Sequence, residues 1–253
     1  MQHQPIPKLQ IILTAIVIIG MVGWFVAERT DNVPVVMTPS TTDDEVVAWP
    51  SREVTKEFVS ESNQYYAIEA AYPVTADPRI SDSFRTFITD QIAQFKEDTS
   101  WATDPSIDSA SAGSLSLNID YKTQQSTTAN TYTFDIATYT GGAHGLLVTR
   151  TFNFDKNGKV INLADLFTNG EAGLKTIAPF VQKEIEKKKI NDDAQWVKEG
   201  TAPTAENYQA FTVSDAGITF TFDAYQVAPY SAGTQNILVP LSVFKSIANP
   251  DLF

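Results

Sequence analysis

The sequence contains no cysteine. That excludes disulfides, iron–sulfur ligation, thiolate zinc sites and lipid attachment through an N-terminal cysteine. Histidine is nearly absent as well: there are two, and one is His3 in the N-terminal tail. Any histidine chemistry of a folded part therefore rests on His144. A zinc site would have to combine that residue with carboxylates, an unusual donor set, so no metal or cofactor is expected. The G-x-S-x-G elbow of many serine hydrolases is also missing. Basic residues are few, 18 against 30 acidic ones, for a net charge of -12. Such a chain is repelled by nucleic acid at long range. No nucleic-acid partner is expected, while a cationic partner is electrostatically permitted.

What is present begins with a long apolar run. Leu9 to Ala27, "LQIILTAIVIIGMVGWFVA", carries no charge over 19 residues. As a helix it spans about 28 Å, close to the hydrocarbon thickness of a bilayer. Lys8 precedes it, and Glu28, Arg29 and Asp31 follow. The positive-inside rule then places residues 1–8 in the cytoplasm and the rest of the chain outside. Trp24 and Phe25 occupy positions where a cleavage site wants small residues, so an uncleaved anchor at 9–27 is expected rather than a cleaved signal. Residues 28–51 hold Pro34, Pro39 and Pro50 among Ser, Thr and acidic residues, and read as an extended linker.

Beyond the linker, strands and helices alternate irregularly. Arg52–Ser60 and Tyr65–Thr75 read as a hairpin. Asp77-Pro78 opens a helix whose Ile80, Phe84, Phe87, Ile88, Ile92 and Phe95 form one apolar stripe. Three period-two strands follow at 114–122, 130–140 and 146–154, read as consecutive and antiparallel. The turn "DKNGK" closes the third against the residues after it. Residues 163–167 suggest a single helical turn. Residues 171–189 form a second amphipathic helix with Leu174, Ile177, Ala178, Val181 and Ile185 on one face, and Pro179 must kink it or delay its start. Strands at 211–213, 218–223 and 237–239 and a short helix begun by Pro240 complete the chain. The expected class is α+β, antiparallel sheets built from hairpins with two main helices.

Two pieces stand out, "YTGGAHG" at 139–145 and "YQVAPYSAG" at 225–233. With "FNFDKNGKVINLADLF" and "ILVP", they resemble the extracytoplasmic region shared by RsiV-like and PdaC-like proteins, whose halves are the domains of unknown function DUF4163 and DUF3298. The resemblance implies two packed subdomains outside a bacterial membrane, PdaC-like over 52–150 and RsiV-like over 151–253. RsiV-like members are anti-sigma factors whose outer domain binds lysozyme. PdaC-like members carry a deacetylase domain after this region. Eight residues before the anchor are too few for an anti-sigma domain, so neither that domain nor a deacetylase domain is expected of the residues 1–253. The expectation is therefore a membrane-anchored binding or sensing module at the cell wall, with a lysozyme-like enzyme or peptidoglycan as partner. A wall hydrolase using His144 and a passive envelope protein are the alternatives.

The candidate ligand contacts are Gly141, Gly142, His144, Tyr225 and Tyr230. The glycines suit positive φ or close backbone packing. His144 reads first as a tie, using both ring nitrogens to hold the turn to a neighbouring element. Ligand contact comes next. A catalytic role would need a hydroxyl nucleophile and an orienting carboxylate beside it, and the sequence offers no positive sign of either. Tyr225 ends an alternating strand and is expected to pack inward. Tyr230 reads equally as packing or as an aromatic contact.

Overall fold

The computed structural model describes residues 49–103 and 115–253. The expected anchor at 9–27 lies outside them, as does the linker up to residue 48. Among the described residues no helix is long and apolar enough to cross a membrane. The last linker positions are already part of the fold: Ser51 is fully buried, and its carbonyl accepts from the Tyr132 hydroxyl at 2.6 Å and the Asn130 amide at 2.9 Å.

The first sheet has five strands in sequence order: β1 (Glu53–Ser62), β2 (Tyr66–Thr75), β3 (Leu115–Gln125), β4 (Ala129–Tyr139) and β5 (Leu146–Asp155). β1 and β2 form the expected hairpin, and β3, β4 and β5 are antiparallel as the period-two runs suggest. One pairing corrects the all-hairpin reading. β2 and β3 are parallel, Tyr66 opposite Leu115 through Ala70 opposite Ile119, so the sheet is mixed. A parallel pair needs a crossover, and α1 (Pro78–Asp98) supplies it. Two neighbouring strands on either side of a helix leave no local trace of whether they later pair in parallel, which is why the pattern alone suggested otherwise.

The cap of α1 follows from its sequence. The Asp77 carboxylate accepts from the Arg79 amide at 2.9 Å, Pro78 occupies the first turn, and Lys96 sits in the last. Each suits the charge of its helix end. The apolar stripe lies on the sheet. Phe84 is fully buried, with the rings of Tyr132, Phe152, Phe134 and Phe154 at centroid distances of 4.9, 5.3, 5.6 and 5.9 Å. A core-facing helix is thus what the stripe encodes.

A second core surrounds α2 (Leu174–Lys187). All five predicted face residues of α2 are buried. The stretch before it, Gly170–Gly173, is a 3-10 turn, so the α-helix proper starts at Leu174, the first residue of its apolar face and three residues later than the expected start at 171, with Pro179 in its second turn. It covers a three-stranded antiparallel sheet of β6 (Phe211–Ser214), β7 (Gly217–Phe222) and β8 (Gln235–Pro240). Ile218, Phe220 and Phe222 of β7 are fully buried, which follows from their alternation. Two further helices complete this part, α3 (Ala194–Gly200) and α4 (Leu241–Phe244). α3 does not appear in the sequence reading, because seven residues carry too short a periodic signal.

The face of β4 and β5 turned away from α1 is joined to the second core through polar groups. The Phe211 amide donates to Thr151 Oγ1 at 3.0 Å, and Asn153 Nδ2 donates to the Phe211 carbonyl at 3.0 Å. Thr131 Oγ1 donates to Asn153 Oδ1 at 2.6 Å. Thr131, Thr149 and Asn153 are all buried. β5 belongs wholly to the first sheet, so the passage between the two cores falls after Asp155.

Candidate functional site

The turn between β4 and β5 holds the glycine-histidine motif. Gly141 and Gly142 have φ of +99° and +102°, a region closed to other residues without strain. Gly145 is needed for a different reason: a Cβ there would lie 2.7 Å from the Thr138 carbonyl oxygen. The Tyr139 hydroxyl donates to the Gly142 carbonyl at 2.9 Å and closes the turn.

His144 projects from this turn into solvent. Its Nδ1 bonds the Gly145 carbonyl at 2.9 Å. A carbonyl only accepts, so Nδ1 carries the proton and Nε2 is left as the acceptor. The Tyr225 hydroxyl donates to it at 3.2 Å. Both ring nitrogens are therefore used, one on the turn itself and one across to the second core. The imidazole also lies flat on Tyr230, with ring centroids 4.0 Å apart and planes 20° from parallel. Tyr225 and Tyr230 are 5.7 Å apart and tilted by 33°. The structure thus brings together His144, Tyr225 and Tyr230, with Gly141 and Gly142 shaping the turn beneath.

Tyr225 does not pack inward. β7 ends at Phe222, and Tyr225 stands in the following loop with 47% of its surface exposed, beside Tyr230 at 38%. The reason is backbone geometry. A turn closed by the Gln226 amide on the Asp223 carbonyl at 3.0 Å ends the alternation the expectation relied on, and Tyr225 takes φ of +71° within it. The loop is fixed from below. Trp196 Nε1 of α3 donates to the Tyr225 carbonyl at 3.1 Å, and Gln226 Nε2 donates to the Asn207 carbonyl at 2.9 Å. Gly200 ends α3 so close that a Cβ would lie 2.1 Å from the Gln226 oxygen. Val227 and Ala228 are buried behind the exposed rings.

Sequence reasoning missed the support beside this cluster. The Asp223 carboxylate accepts from the Thr149 amide at 3.0 and 3.1 Å, occupying a backbone donor on the outer edge of β5. Arg150 Nη1 lies 3.9 Å from Asp223 and donates to the Thr149 carbonyl at 2.8 Å. Burial pushes the Asp223 carboxyl above its ordinary value, against the lowering effect of the Thr149 amide and Arg150. Burial likewise lowers Arg150, against Asp223. The charge at the foot of β7 was visible in the sequence, but its partner 74 positions away was not.

The arrangement suits contact more than proton transfer. The position that an orienting carboxylate would take on His144 is held by a backbone carbonyl, and its other nitrogen meets a phenol. Among the described residues no Ser, Thr or carboxylate bonds the imidazole, and no three His, Asp or Glu side chains converge to hold a metal. What faces outward is an aromatic cluster of His144, Tyr225 and Tyr230.

Comparison with known proteins divides the chain as the two cores do. Residues 59–147 match the family model described as "Deacetylase PdaC", and residues 164–242 match "Protein of unknown function (DUF3298)". His144 falls in the first match, Tyr225 and Tyr230 in the second. The chain is 27% identical over 242 residues to the peptidoglycan-N-acetylmuramic acid deacetylase PdaC of Bacillus subtilis, covering 94% of this chain and 49% of that protein. It is 30% identical over 108 residues to the immunogenic protein MPT64 of Mycobacterium tuberculosis, covering 42% of this chain and 46% of that one. The chain therefore spans about half the length of the curated relatives it matches. A crystal structure of a DUF3298 family member from Bacteroides fragilis superposes with a TM-score of 0.59 at 21% identity, covering 81% of this chain and 96% of that one. A DUF3298 protein from Pseudomonas aeruginosa gives 0.50 at 17%, covering 81% and 98%. These two share the fold. With a PdaC region followed by a DUF3298 region, the chain belongs to the PdaC-like/DUF3298 family.

Proposed function

We propose that this chain is a membrane-anchored binding module of the bacterial envelope. Residues 1–8 lie in the cytoplasm, residues 9–27 span the membrane, and the folded part grips wall glycan outside. The observation that carries the reading is the exposed cluster of His144, Tyr225 and Tyr230, contributed by both halves of the fold and held by a backbone conformation that a tyrosine rarely adopts. Strain kept at an exposed position is characteristic of functional sites. Aromatic faces suit a glycan because the C–H face of a pyranose ring is flat and apolar, while tyrosine hydroxyls and imidazole meet its hydroxyl and acetamido groups. The relative from Bacillus subtilis acts, by its name, on peptidoglycan, and this supports the choice of glycan.

A second reading has its own observation. From Trp49 onward there are 16 basic and 25 acidic side chains. That excess favours encounter with a cationic protein such as a lysozyme. The two separate in one experiment. The full chain in mild detergent is incubated with purified peptidoglycan sacculi and with lysozyme across a salt series, alongside Tyr230→Ala. The glycan reading expects sacculus binding that tolerates salt and is lost in the variant. Lysozyme capture that fades with salt and ignores Tyr230 favours the second reading. A wild-type chain that binds neither sinks both. Recovery of the protein from culture medium instead of membranes would remove the anchor.

A further inference from the structure

The neutral imidazole leaves the His144–Tyr225 pair without an outward donor. The Nδ1 proton is engaged by the Gly145 carbonyl at 2.9 Å, and the Tyr225 hydroxyl proton by Nε2 at 3.2 Å. What the pair turns toward a ligand is the Tyr225 oxygen, an acceptor. Protonation changes this without dismantling the cluster. An imidazolium donates from both nitrogens. Nδ1 keeps its bond to Gly145. Nε2 now carries a proton, so the bond to Tyr225 runs the other way and the phenolic proton turns outward. The positive ring also lies flat on Tyr230, with centroids 4.0 Å apart and planes 20° from parallel, and a cation over an aromatic face is favourable. The titratable side chains against the ring are the phenols of Tyr225 and Tyr230. Tyr139, from its own turn, bonds the Gly142 carbonyl, and the charged groups of the adjoining seam, Asp223 and Arg150, bond Thr149.

We propose that the cluster recognises a carboxylate on wall glycan, and does so when His144 is protonated and its bond with Tyr225 is reversed. This rests on the glycan reading above and narrows it to an anionic group of the polymer. A carboxylate only accepts hydrogen bonds. At the neutral pair it meets another acceptor, on a chain with 16 basic and 25 acidic side chains from Trp49 onward, which repels it at long range. At the protonated pair it meets an outward O–H beside a positive charge, the setting of a charge-assisted bond. A neutral sugar makes no such distinction, because its hydroxyls donate to one form of Tyr225 and accept from the other. Dependence on the protonation of His144 is therefore the mark of an anionic ligand.

The scarcity of histidine makes a clean test. With His3→Ala, the only imidazole left in the full chain is that of His144, and its magnetic resonance signals are followed in mild detergent between about pH 8 and pH 5, where imidazoles titrate and carboxylates stay largely ionised. The Tyr225 ring signals, assigned by their loss in Tyr225→Phe, should move with those of His144. Over the same range, binding of purified sacculi should rise by about threefold or more. The rise should vanish in His144→Gln, which keeps a polar side chain but does not titrate, and should shrink in Tyr225→Phe. N-acetylmuramic acid, which carries a lactyl carboxylate, should bind more tightly as pH falls, and N-acetylglucosamine, which lacks it, should not. A level wild-type profile, an undiminished rise in His144→Gln or equal behaviour of the two sugars overturns the carboxylate and leaves glycan binding in place. Tyr225 signals that ignore the titration of His144 overturn the bond reversal. Sacculi that bind at no pH overturn the glycan reading, and this inference with it.

Discussion

Tyr225→Asn separates the two roles of the aromatic cluster. Tyr225 occupies the left-handed region at φ +71°. That conformation costs a residue with a large side chain about 1–2 kcal/mol, whereas asparagine enters it far more readily. What the variant loses is modest. Nearly half of the tyrosine surface is exposed, its hydroxyl bond to His144 is 3.2 Å long and solvent-exposed, and such a bond contributes about 0.5 kcal/mol or so. The Trp196 bond goes to the backbone carbonyl and survives. The ring contact with Tyr230, tilted and 5.7 Å apart, is worth about 0.5–1 kcal/mol. The losses and the relieved strain nearly cancel, so thermal unfolding should move by no more than about 4 °C for a domain of this size. Binding to sacculi should meanwhile fall by about tenfold or more, the effect of losing roughly 1.4 kcal/mol of contact. The assays are calorimetric melting and a sacculus pull-down on the same preparations. A drop in stability well beyond 2 kcal/mol with unchanged binding would refute the reasoning, because it would make the cluster a structural tie, as the hydrogen-bonding of His144 alone suggests.

Gly200→Ala should act on the same loop from beneath: its Cβ would lie 2.1 Å from the Gln226 oxygen, costing about 1–3 kcal/mol by overpacking, and both melting temperature and ligand binding should fall. Asp223 gives a pH signature. Its folded pKa is raised by burial, so the native state takes up a proton before the unfolded chain does, and this group adds stability as pH falls through the folded value and withdraws it as pH rises. Asp223→Asn should therefore be at least as stable as the wild type at neutral pH in denaturant titration, with the gain disappearing on acidification. Asp223→Ala instead strands the buried Thr149 amide and should cost about 1–3 kcal/mol. Phe84→Ala empties the centre of the first core and should cost about 3–5 kcal/mol in the same titration, and a smaller loss would mean that the surrounding rings close the gap.

How much of this was legible depends on the range of the signal. The strand edges of β3, β4 and β5, the cap of α1 and the buried face of α2 are short-range patterns, and each is written in a few consecutive residues. Asp77-Pro78 announces a helix start, and Ile218, Phe220 and Phe222 announce one face of a strand. The parallel pairing of β2 with β3 is a long-range event with no local spelling. So is the encounter of His144 with Tyr225 across 81 positions. The motif residues of the cluster were recognisable because glycine and histidine stand out in this composition, yet their mutual contact was not. Tyr225 misled because the strand stops at Phe222 and a turn from Asp223 to Gln226 carries the tyrosine outward, and nothing in a tyrosine signals the positive φ it takes there. α3 was hidden by its brevity, although Asp193 caps it with bonds to the Gln195 and Trp196 amides at 3.0 and 3.1 Å.

The position of the cluster follows from how the two cores are joined. An apolar contact between them would permit sliding, since apolar surfaces have little directional preference. The seam actually used is polar, and buried polar groups must be paired in specific geometry. Thr149 of β5 is five residues along the chain from His144, and Asp223 is two residues from Tyr225. The Asp223–Thr149 bonds therefore fix the separation of the imidazole and the phenol almost directly, with Arg150 beside them. Weakening this seam should disturb the cluster before it unfolds either core. That ordering distinguishes Asp223→Ala from Phe84→Ala: at equal loss of stability, the first should reduce ligand binding far more than the second. Equal effects on binding would mean that the cluster reports only global folding and that the seam does not position it.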